Sequence, residues 1–404
     1  MRTKIRVLHG SAMDAAAIAS ESVDLIVTSP PYPMIEMWDE TFIAPDASIG
    51  RNLAAGKGPA AFESMHCILD EAWRECDRVL RPGGLACVNI GDATRTLSGD
   101  FQLYSNHSRI LKAFLDLGYA VLPDILWRKQ TNAPTKFMGS GMLPVGAYVT
   151  YEHEYVLIMR KGRRRRFQDA GEKQRRRESA FFWEERNAWF SDVWFDIKGT
   201  PQALVTEADR KRSAAFPFEL AYRLVSMFSI KGDHVLDPFA GTGTTLSAAL
   251  TAGRNATGVE LDASLVATCR DVLGATPGFA NDYVRERLVR HMAFVRDRVG
   301  ASGPMKYVNR HYGFPVMTAQ ERDLLIPDVL QTERATADEL QVEHDEGPQR
   351  ELAGLWENER WAEHPAATGK GPATGRCRTV PLPGAPAQQA FQFDTSAVRS
   401  ATSR

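Results

Sequence analysis

One stretch constrains this 404-residue chain more than any other: a strand, a glycine turn, a helix and a second strand in immediate succession. His234-Val235-Leu236 is of strand type, and Asp237-Pro238-Phe239-Ala240-Gly241-Thr242-Gly243-Thr244-Thr245 is a turn. Leu246 to Leu250 starts a helix that Gly253 closes, and Ala256-Thr257-Gly258-Val259-Glu260 is the next strand. This is a βαβ unit, and its crossover makes the two strands parallel. Parallel strands need helices on both faces, so the sequence predicts an α/β fold with a mostly parallel sheet.

The turn has chemistry of its own. Gly241 and Gly243 allow dihedrals and close approaches that a side chain forbids. The helix starting near Thr244 aims its first amides at the same place. Glu260 ends the following strand, 17 residues after Gly243, where a carboxylate can accept from both hydroxyls of a ribose. No third glycine is spaced for a pyrophosphate. A nucleoside without one, such as S-adenosylmethionine, therefore fits better than a dinucleotide. Taken alone, the loop reads equally well as a tight structural turn.

Upstream, Val23 to Thr28 is a short apolar run that stops at Ser29-Pro30-Pro31-Tyr32. Two prolines cannot continue a central strand, so the chain turns at the strand's carboxyl end, where ligands bind in open α/β sheets. Met65 to Leu80 has helical periodicity, with Pro82-Gly83-Gly84 as its expected stop. Leu85 to Ile90, Val121 to Trp127 and Tyr155 to Met159 read as strands, and Ser108 to Leu117 and Glu219 to Phe228 as helices. Asp262 to about Arg298 is helical and charged, residues 299–366 carry no readable motif, and the tail from 367 has the composition of a disordered segment.

The Ser-Pro-Pro-Tyr turn presents acceptors, the Pro30 carbonyl and the Ser29 hydroxyl, with Tyr32 as a flat surface for stacking. A nucleobase amino group suits such a turn. Its lone pair is delocalised into the ring, and two acceptors holding its hydrogens free that pair for attack on an electrophilic methyl. The proton becomes acidic only after methylation, so positioning and fixed dipoles carry the catalysis rather than a strong base. A target inside a duplex must first be flipped out.

Together the two segments resemble the amino-methylating DNA methyltransferases. That family pairs a (Ser/Asn/Asp)-Pro-Pro-Tyr motif with an Asp-Pro-Phe-x-Gly-x-Gly-Thr-Thr cofactor motif, and the order seen here resembles its circularly permuted beta group. The resemblance covers roughly residues 5–265. It implies a Rossmann-like, S-adenosylmethionine-binding fold with catalytic Ser29, Pro30, Pro31 and Tyr32. It implies a cofactor site built from Ser11, Phe216, Pro217, Asp237, Pro238, Phe239, Gly241, Gly243, Thr244, Thr245 and Glu260. Leu80-Arg81-Pro82-Gly83-Gly84, Trp127-Arg128-Lys129, His153-Glu154-Tyr155-Val156-Leu157 and Phe216-Pro217-Phe218-Glu219-Leu220-Ala221 resemble further family segments. Many relatives carry Gly-Asp-Ser near the N-terminus; Gly10-Ser11-Ala12 departs from it, replacing the carboxylate with Ser11.

Ser in the first motif position resembles the cytosine-N4 group, and Asp is the usual adenine-N6 choice, so the expected target is cytosine N4 with adenine N6 as the alternative. RNA amino-methylation and a catalytically inactive DNA-binding protein are further rivals. The C5-cytosine route needs a Cys after Pro, and none of the five Cys follows one. Their scatter without a CxxC pair also predicts neither disulfides nor a metal site.

Charge is unevenly spread. The net charge is -1, yet residues 126–231 alone carry 20 basic and 12 acidic residues, a net of +8. Arg160 to Arg177 holds ten Lys/Arg against Asp169 and Glu172. A charge run alone reads first as a solvated loop. Beside a DNA chemistry it predicts phosphate contacts by Arg163, Arg164, Arg165, Arg166, Arg175, Arg176 and Arg177. The expected organisation is a catalytic domain from 1–161 and 213–273, a basic target-recognition segment at 162–212 whose interleaved aromatics form a small core, an extension at 274–366 and a disordered tail at 367–404. Segment 33–62 is expected as a mobile loop near the flipped base. Duplex DNA is the expected partner, with a cognate restriction endonuclease in the same system. The protein is expected to be a cytoplasmic monomer or homodimer without a membrane span or signal peptide.

Overall fold

The computed structural model describes residues 1–129, 149, 151–198, 216–349 and 356, all within one unit, Met1–Gly371. The tail at 367–404 and residues 199–212 of the basic segment lie outside the described residues.

The chain opens with β1 (Arg2–His9) and β2 (Val23–Thr28), the latter buried at every position. Helices α1 (Asp39–Ile43), α2 (Ala47–Ala54) and α3 (Gly58–Val79) follow. α3 buries Met65, Leu69, Ala72, Trp73, Cys76 and Val79 on one face, as three- and four-residue spacing requires. β3 (Leu80–Ile90) begins as soon as α3 ends. Arg81-Pro82-Gly83-Gly84 is not a loop beyond a helix but a bulge, across which the pairing with β2 jumps from Leu80 to Leu85. Then come the hairpin β4 (Ala93–Leu97) and β5 (Asp100–Tyr104), α4 (Asn106–Asp116), β6 (Ala120–Val121), β7 (Ile125–Arg128) and β8 (His153–Arg160). α5 (Ala170–Glu178), α6 (Trp183–Trp189) and β9 (Val193–Trp194) lead to α7 (Phe218–Phe228), β10 (His234–Asp237), α8 (Thr244–Thr251) and β11 (Asn255–Glu260). The 40-residue α9 (Ala263–Ser302) precedes two antiparallel pairs, β12 (Tyr307–Val308) with β13 (Pro315–Val316) and β14 (Val329–Arg334) with β15 (Glu339–His344).

Among the described residues, eleven strands form one sheet in the order β14-β15-β1-β11-β10-β2-β3-β8-β7-β9, with β6 beside β8. β1, β11, β10, β2 and β3 are parallel, as predicted, and β8 runs against β3. α3 and α4 cover one face around Met65, Trp73, Phe114 and Ile26. α7, α8 and the start of α9 cover the other around Leu220, Leu224, Leu246 and Leu25. From β10 the chain crosses through α8 to β11 on one side. From β2 it crosses through α3 to β3 on the other. Neighbouring β2 and β10 therefore mark the point where the winding reverses, and a crevice opens at their carboxyl ends. No helix among the described residues is long and apolar enough to cross a membrane.

Three expectations change. Segment 33–62 is helical and packed rather than a mobile loop: Phe42, Ile49 and Ala61 are buried, and the Arg95 guanidinium grips Asp39 through both nitrogens at 2.7 and 2.8 Å. The boundary at 273/274 falls inside α9. Finally, part of the extension joins the central sheet, since β15 pairs antiparallel with β1, and another part, among the described residues, builds a satellite core with the basic segment. Phe182 stacks on His291 at 3.7 Å and packs with Leu288, Met292, Phe314 and Leu325. The aromatics of that segment do serve as core, with Phe182, Trp189 and Trp194 buried.

Candidate active site

β2 and β10 pair in register, Leu25 with Val235 and Ile26 with Leu236. The Ser-Pro-Pro-Tyr turn and the glycine turn thus leave the sheet side by side. A direct bond joins their strands: the buried Thr28 hydroxyl donates to Asp237 Oδ1 at 2.6 Å. Thr245, at the start of α8, donates back to the Val27 carbonyl at 3.2 Å. Two stretches about two hundred residues apart in sequence share one crevice.

On the glycine side, Gly243 adopts φ +85, and a Cβ there would stand 2.5 Å from Cys269 Sγ. Gly241 also has positive φ, and nothing lies within 4 Å of where its Cβ would be; the same open space surrounds Gly10. Both glycines face Glu260. Gly241 N–H donates to Glu260 Oε2 at 2.8 Å, Asp262 N–H to Oε1 at 2.8 Å, and Gly10 N–H to the Glu260 carbonyl at 2.9 Å. Ser11 follows β1 and accepts from Met13 N–H at 3.2 Å. β1 pairs with β11 up to His9 and Glu260, so Ser11 joins this cluster. Phe239 N–H donates to Asp237 Oδ1 at 3.1 Å, and the Phe239 ring meets Trp73 edge-on at 5.9 Å. Pro238 and Thr244 complete the turn. α7 runs down toward the start of β10, which leaves Phe216-Pro217 at its upper, carboxyl-edge end. Burial pushes the Asp237 carboxyl up to about 6, with the Glu260 charge adding and the Thr28, Thr245 and Phe239 bonds opposing.

On the other side, the Ser29 hydroxyl donates to Tyr32 Oη at 3.1 Å, and the Tyr32 hydroxyl donates to Glu154 Oε2 at 3.1 Å. Asn89 Nδ2 donates to Tyr32 Oη at 3.0 Å and to Glu154 Oε2 at 2.7 Å, and Lys129 Nζ holds Glu154 Oε1. Burial first, and then the Glu154 charge, raises the Tyr32 phenol well above its ordinary range, so it stays protonated. Tyr32 is only 8% exposed, so it is not the open platform expected. It is wired through its hydroxyl. Beyond it, Met34 takes φ +68, a strained conformation for a side-chain-bearing residue. Asn106 braces the turn by donating to the carbonyls of Pro33 at 3.1 Å and Gly91 at 3.0 Å, and His66 bonds its oxygen at 3.0 Å.

The basic cluster is elsewhere. β8 descends from the crevice, and residues 161–178 follow its lower end. Gly83 N–H donates to the Lys161 carbonyl at 2.7 Å, and Arg165 bonds Asp24, Asp233 and Glu172 at 2.9, 2.8 and 3.2 Å. Asp24 is at the start of β2 and Ser29 just past its end, about 16 Å apart at the rise of a strand. Arg163, Arg164, Arg166, Arg175, Arg176 and Arg177 are exposed at this amino edge and do not line the crevice. Arg165 departs further from expectation, since three carboxylates hold its guanidinium and it is a structural cation rather than a phosphate contact. Asn89, Glu154 and Lys129 were not foreseen as site residues. A signal existed for one of them, because Asn89 is a polar residue set in the apolar run Leu85 to Ile90.

Residues 23–270 match the DNA methylase family of N6 and N4 amino-methyltransferases. The chain is 50% identical over 325 residues to the type II methyltransferase M.MthZI of Methanothermobacter thermautotrophicus, covering 80% of this chain and 90% of that one. It is 45% identical over 283 residues to M.MjaI of Methanocaldococcus jannaschii, covering 67% and 92%. Among solved structures it is similar to TTHA0409 of Thermus thermophilus, provisionally described as a DNA modification methylase and solved with S-adenosyl-L-methionine. That match has TM-score 0.52 and 33% identity and covers 67% of this chain and 95% of that one. With the paired motifs in one crevice and a family match over more than half its length, the chain belongs to the N6/N4 DNA methylase family.

Proposed function

We propose that this protein is a type II DNA methyltransferase that transfers a methyl group from S-adenosylmethionine to the N4 amino group of a flipped-out cytosine in duplex DNA. The observation that carries the reading is the Thr28–Asp237 bond, which holds the Ser-Pro-Pro-Tyr turn against the glycine turn. The residues fit the cofactor. Space stands open over Gly10 and Gly241, the Glu260 carboxylate faces that space, and a buried Asp237 supplies negative charge beside it. Glu260 would hold the ribose, Phe239 and Ser11 the adenine side, and Asp237 with Gly243, Thr244 and Thr245 the charged methionine end. Pro238, Phe216 and Pro217 shape the walls. When bound, S-adenosylmethionine supplies a methyl on a cationic sulfur.

The target amino group docks on the Ser29 hydroxyl and the Pro30 carbonyl, which hold its two hydrogens and release its lone pair. Pro31 stiffens the turn. Ser29 supports cytosine over adenine as the target, because a neutral hydroxyl stands where the adenine-N6 relatives usually place a carboxylate. A restriction endonuclease cutting the same site is the partner that a type II system implies. The test is direct. Purified protein is incubated with labelled S-adenosylmethionine and duplex DNA or RNA, and the product is digested to nucleosides. N4-methylcytosine is expected. N6-methyladenine would overturn the base assignment, label in RNA alone would overturn the substrate, and no transfer despite cofactor binding would leave an inactive DNA-binding protein.

A further inference from the structure

A carboxylate outside both motifs points its acceptor at the motif tyrosine. We infer that Glu154 is a positioning residue for methyl transfer, setting the direction of a Glu154–Tyr32–Ser29 hydrogen-bond chain so that Ser29 presents a lone pair to the target amino group. The inference rests on the function proposed above.

The direction of the chain follows from counting protons. An ionised carboxylate only accepts. Tyr32 has one hydroxyl hydrogen and keeps it, because its buried phenol does not ionise near neutrality. That hydrogen therefore goes to Glu154 Oε2 at 3.1 Å. Tyr32 Oη can then only accept, and it accepts from Asn89 Nδ2 and from the Ser29 hydroxyl at 3.0 and 3.1 Å. With its own hydrogen turned inward, Ser29 Oγ has its lone pairs left for a donor, and the substrate amino group is a donor. Without the carboxylate, the Tyr32 hydrogen is free to turn onto Ser29. The Ser29 hydrogen would then face the incoming amino group, donor against donor.

The surroundings keep Glu154 fixed. Lys129 holds Oε1, Asn89 holds Oε2 at 2.7 Å, and the side chain is about nine-tenths buried. Gly91 leaves room for the pair, since a Cβ there would stand 3.2 Å from the Tyr32 ring and 3.3 Å from Glu154 Cγ. The same chain disposes of the proton. Once the nitrogen carries the methyl, its N–H proton passes to Ser29 Oγ as the Ser29 hydrogen moves to Tyr32 and the Tyr32 hydrogen to Glu154. The product amine is left neutral, and Glu154 is left as the acid until it returns the proton to water. A weak base is enough, because the methylated nitrogen is strongly acidic.

The test is a double-mutant cycle in the full-length protein with Tyr32→Phe, Glu154→Gln and the pair. It is read by single-turnover transfer to duplex DNA, by cofactor titration and by thermal midpoint. Glu154→Gln is expected to slow single-turnover transfer by about a hundredfold, in the range for a positioned proton-transfer group, with cofactor affinity and midpoint unchanged. In the Tyr32→Phe background the same substitution should change the rate by less than about twofold, because Glu154 acts only through the missing hydroxyl. A Glu154→Gln rate equal to wild type, or an equal loss in both backgrounds, overturns the inference. No transfer by the wild-type protein would instead overturn the proposed function, so the two failures are distinct.

Discussion

Thr28→Val is the sharpest probe of how the two halves of the site are coupled. Valine has the shape of threonine without its hydroxyl, so the packing of β2 survives while Asp237 loses its 2.6 Å donor. A hydrogen bond to a charged group contributes about 1.5–3 kcal/mol. Each tenfold change in an equilibrium is about 1.4 kcal/mol, so the loss moves the Asp237 titration up by about one to two pH units. Its wild-type position is already near 6. At pH 7 the carboxyl is then about nine-tenths ionised in the wild type and about a tenth to a half ionised in the variant. If only the ionised form holds the cationic cofactor, apparent affinity at pH 7 weakens by about two- to tenfold. The sign follows from the charge. Raising the pH ionises Asp237 in both proteins, so the deficit should vanish by about pH 9, and wild-type affinity should itself fall below about pH 6. Calorimetric titration with S-adenosylmethionine at pH 6, 7 and 9 measures this. A deficit of equal size at all three values would mean that the substitution damages the site by shape, and the electrostatic reasoning would be wrong.

Three further outcomes follow from the same structure. Arg165→Ala should destabilise the fold by about 3–5 kcal/mol, because it leaves Asp24 and Asp233 buried without that partner, whereas Arg163→Ala at the exposed edge should stay within about 0.5 kcal/mol; urea unfolding compares them. Gly243→Ala meets both a positive φ and the Cys269 sulfur, and a loss of about 1–3 kcal/mol with weakened cofactor binding is expected from the strain alone; an unchanged thermal midpoint would contradict it. Ser29→Ala should abolish turnover while cofactor titration stays at the wild-type value, and a loss confined to cofactor binding would contradict the assignment of that turn to the target base.

Most of the sheet was legible in the sequence because its strands are buried on both faces. Such strands are continuous apolar runs ended by conspicuous turn residues, as Val23 to Thr28 is by two prolines. The site was legible for the same reason, since both motifs interrupt those runs at the carboxyl edge. What stayed hidden lacked either signal. β1 alternates charged and apolar residues, β14 carries mostly exposed side chains, and β15 interleaves Glu339, Gln341 and Glu343 with its apolar residues. Their strand state comes from pairing with the sheet edge rather than from local pattern. The helical nature of segment 33–62 was masked by three glycines, although Gly50 sits inside α2 and Gly58 opens α3. Arg165 could not be told from its neighbours in a run of four arginines; only the fold shows which one reaches Asp24 and Asp233.

Strand direction separates the ionisable groups that hold this protein together from those placed to act. At the amino edge, Asp24 is pushed up to about 6, by burial first and by Asp233 second, and it is paired with both Arg81 and Arg165. These charges answer each other, and their cost of burial is offset locally. At the carboxyl edge, Asp237 is pushed as far, but its partners are the Thr28 and Thr245 hydroxyls and a backbone amide, with no cation bonded to it among the described residues. A buried carboxylate without a cation is costly to the folded protein alone and is stabilised by any cation that binds beside it. The same shift therefore has opposite meanings at the two edges: neutralising Asp24 by Asp24→Asn should cost Arg81 and Arg165 the carboxylate they share and weaken the fold, whereas Asp237→Asn should leave stability equal or higher while removing the pH dependence of cofactor binding. Unfolding curves and pH-resolved titrations on the two variants decide it, and a fold weakened equally by both would show that Asp237 is structural after all.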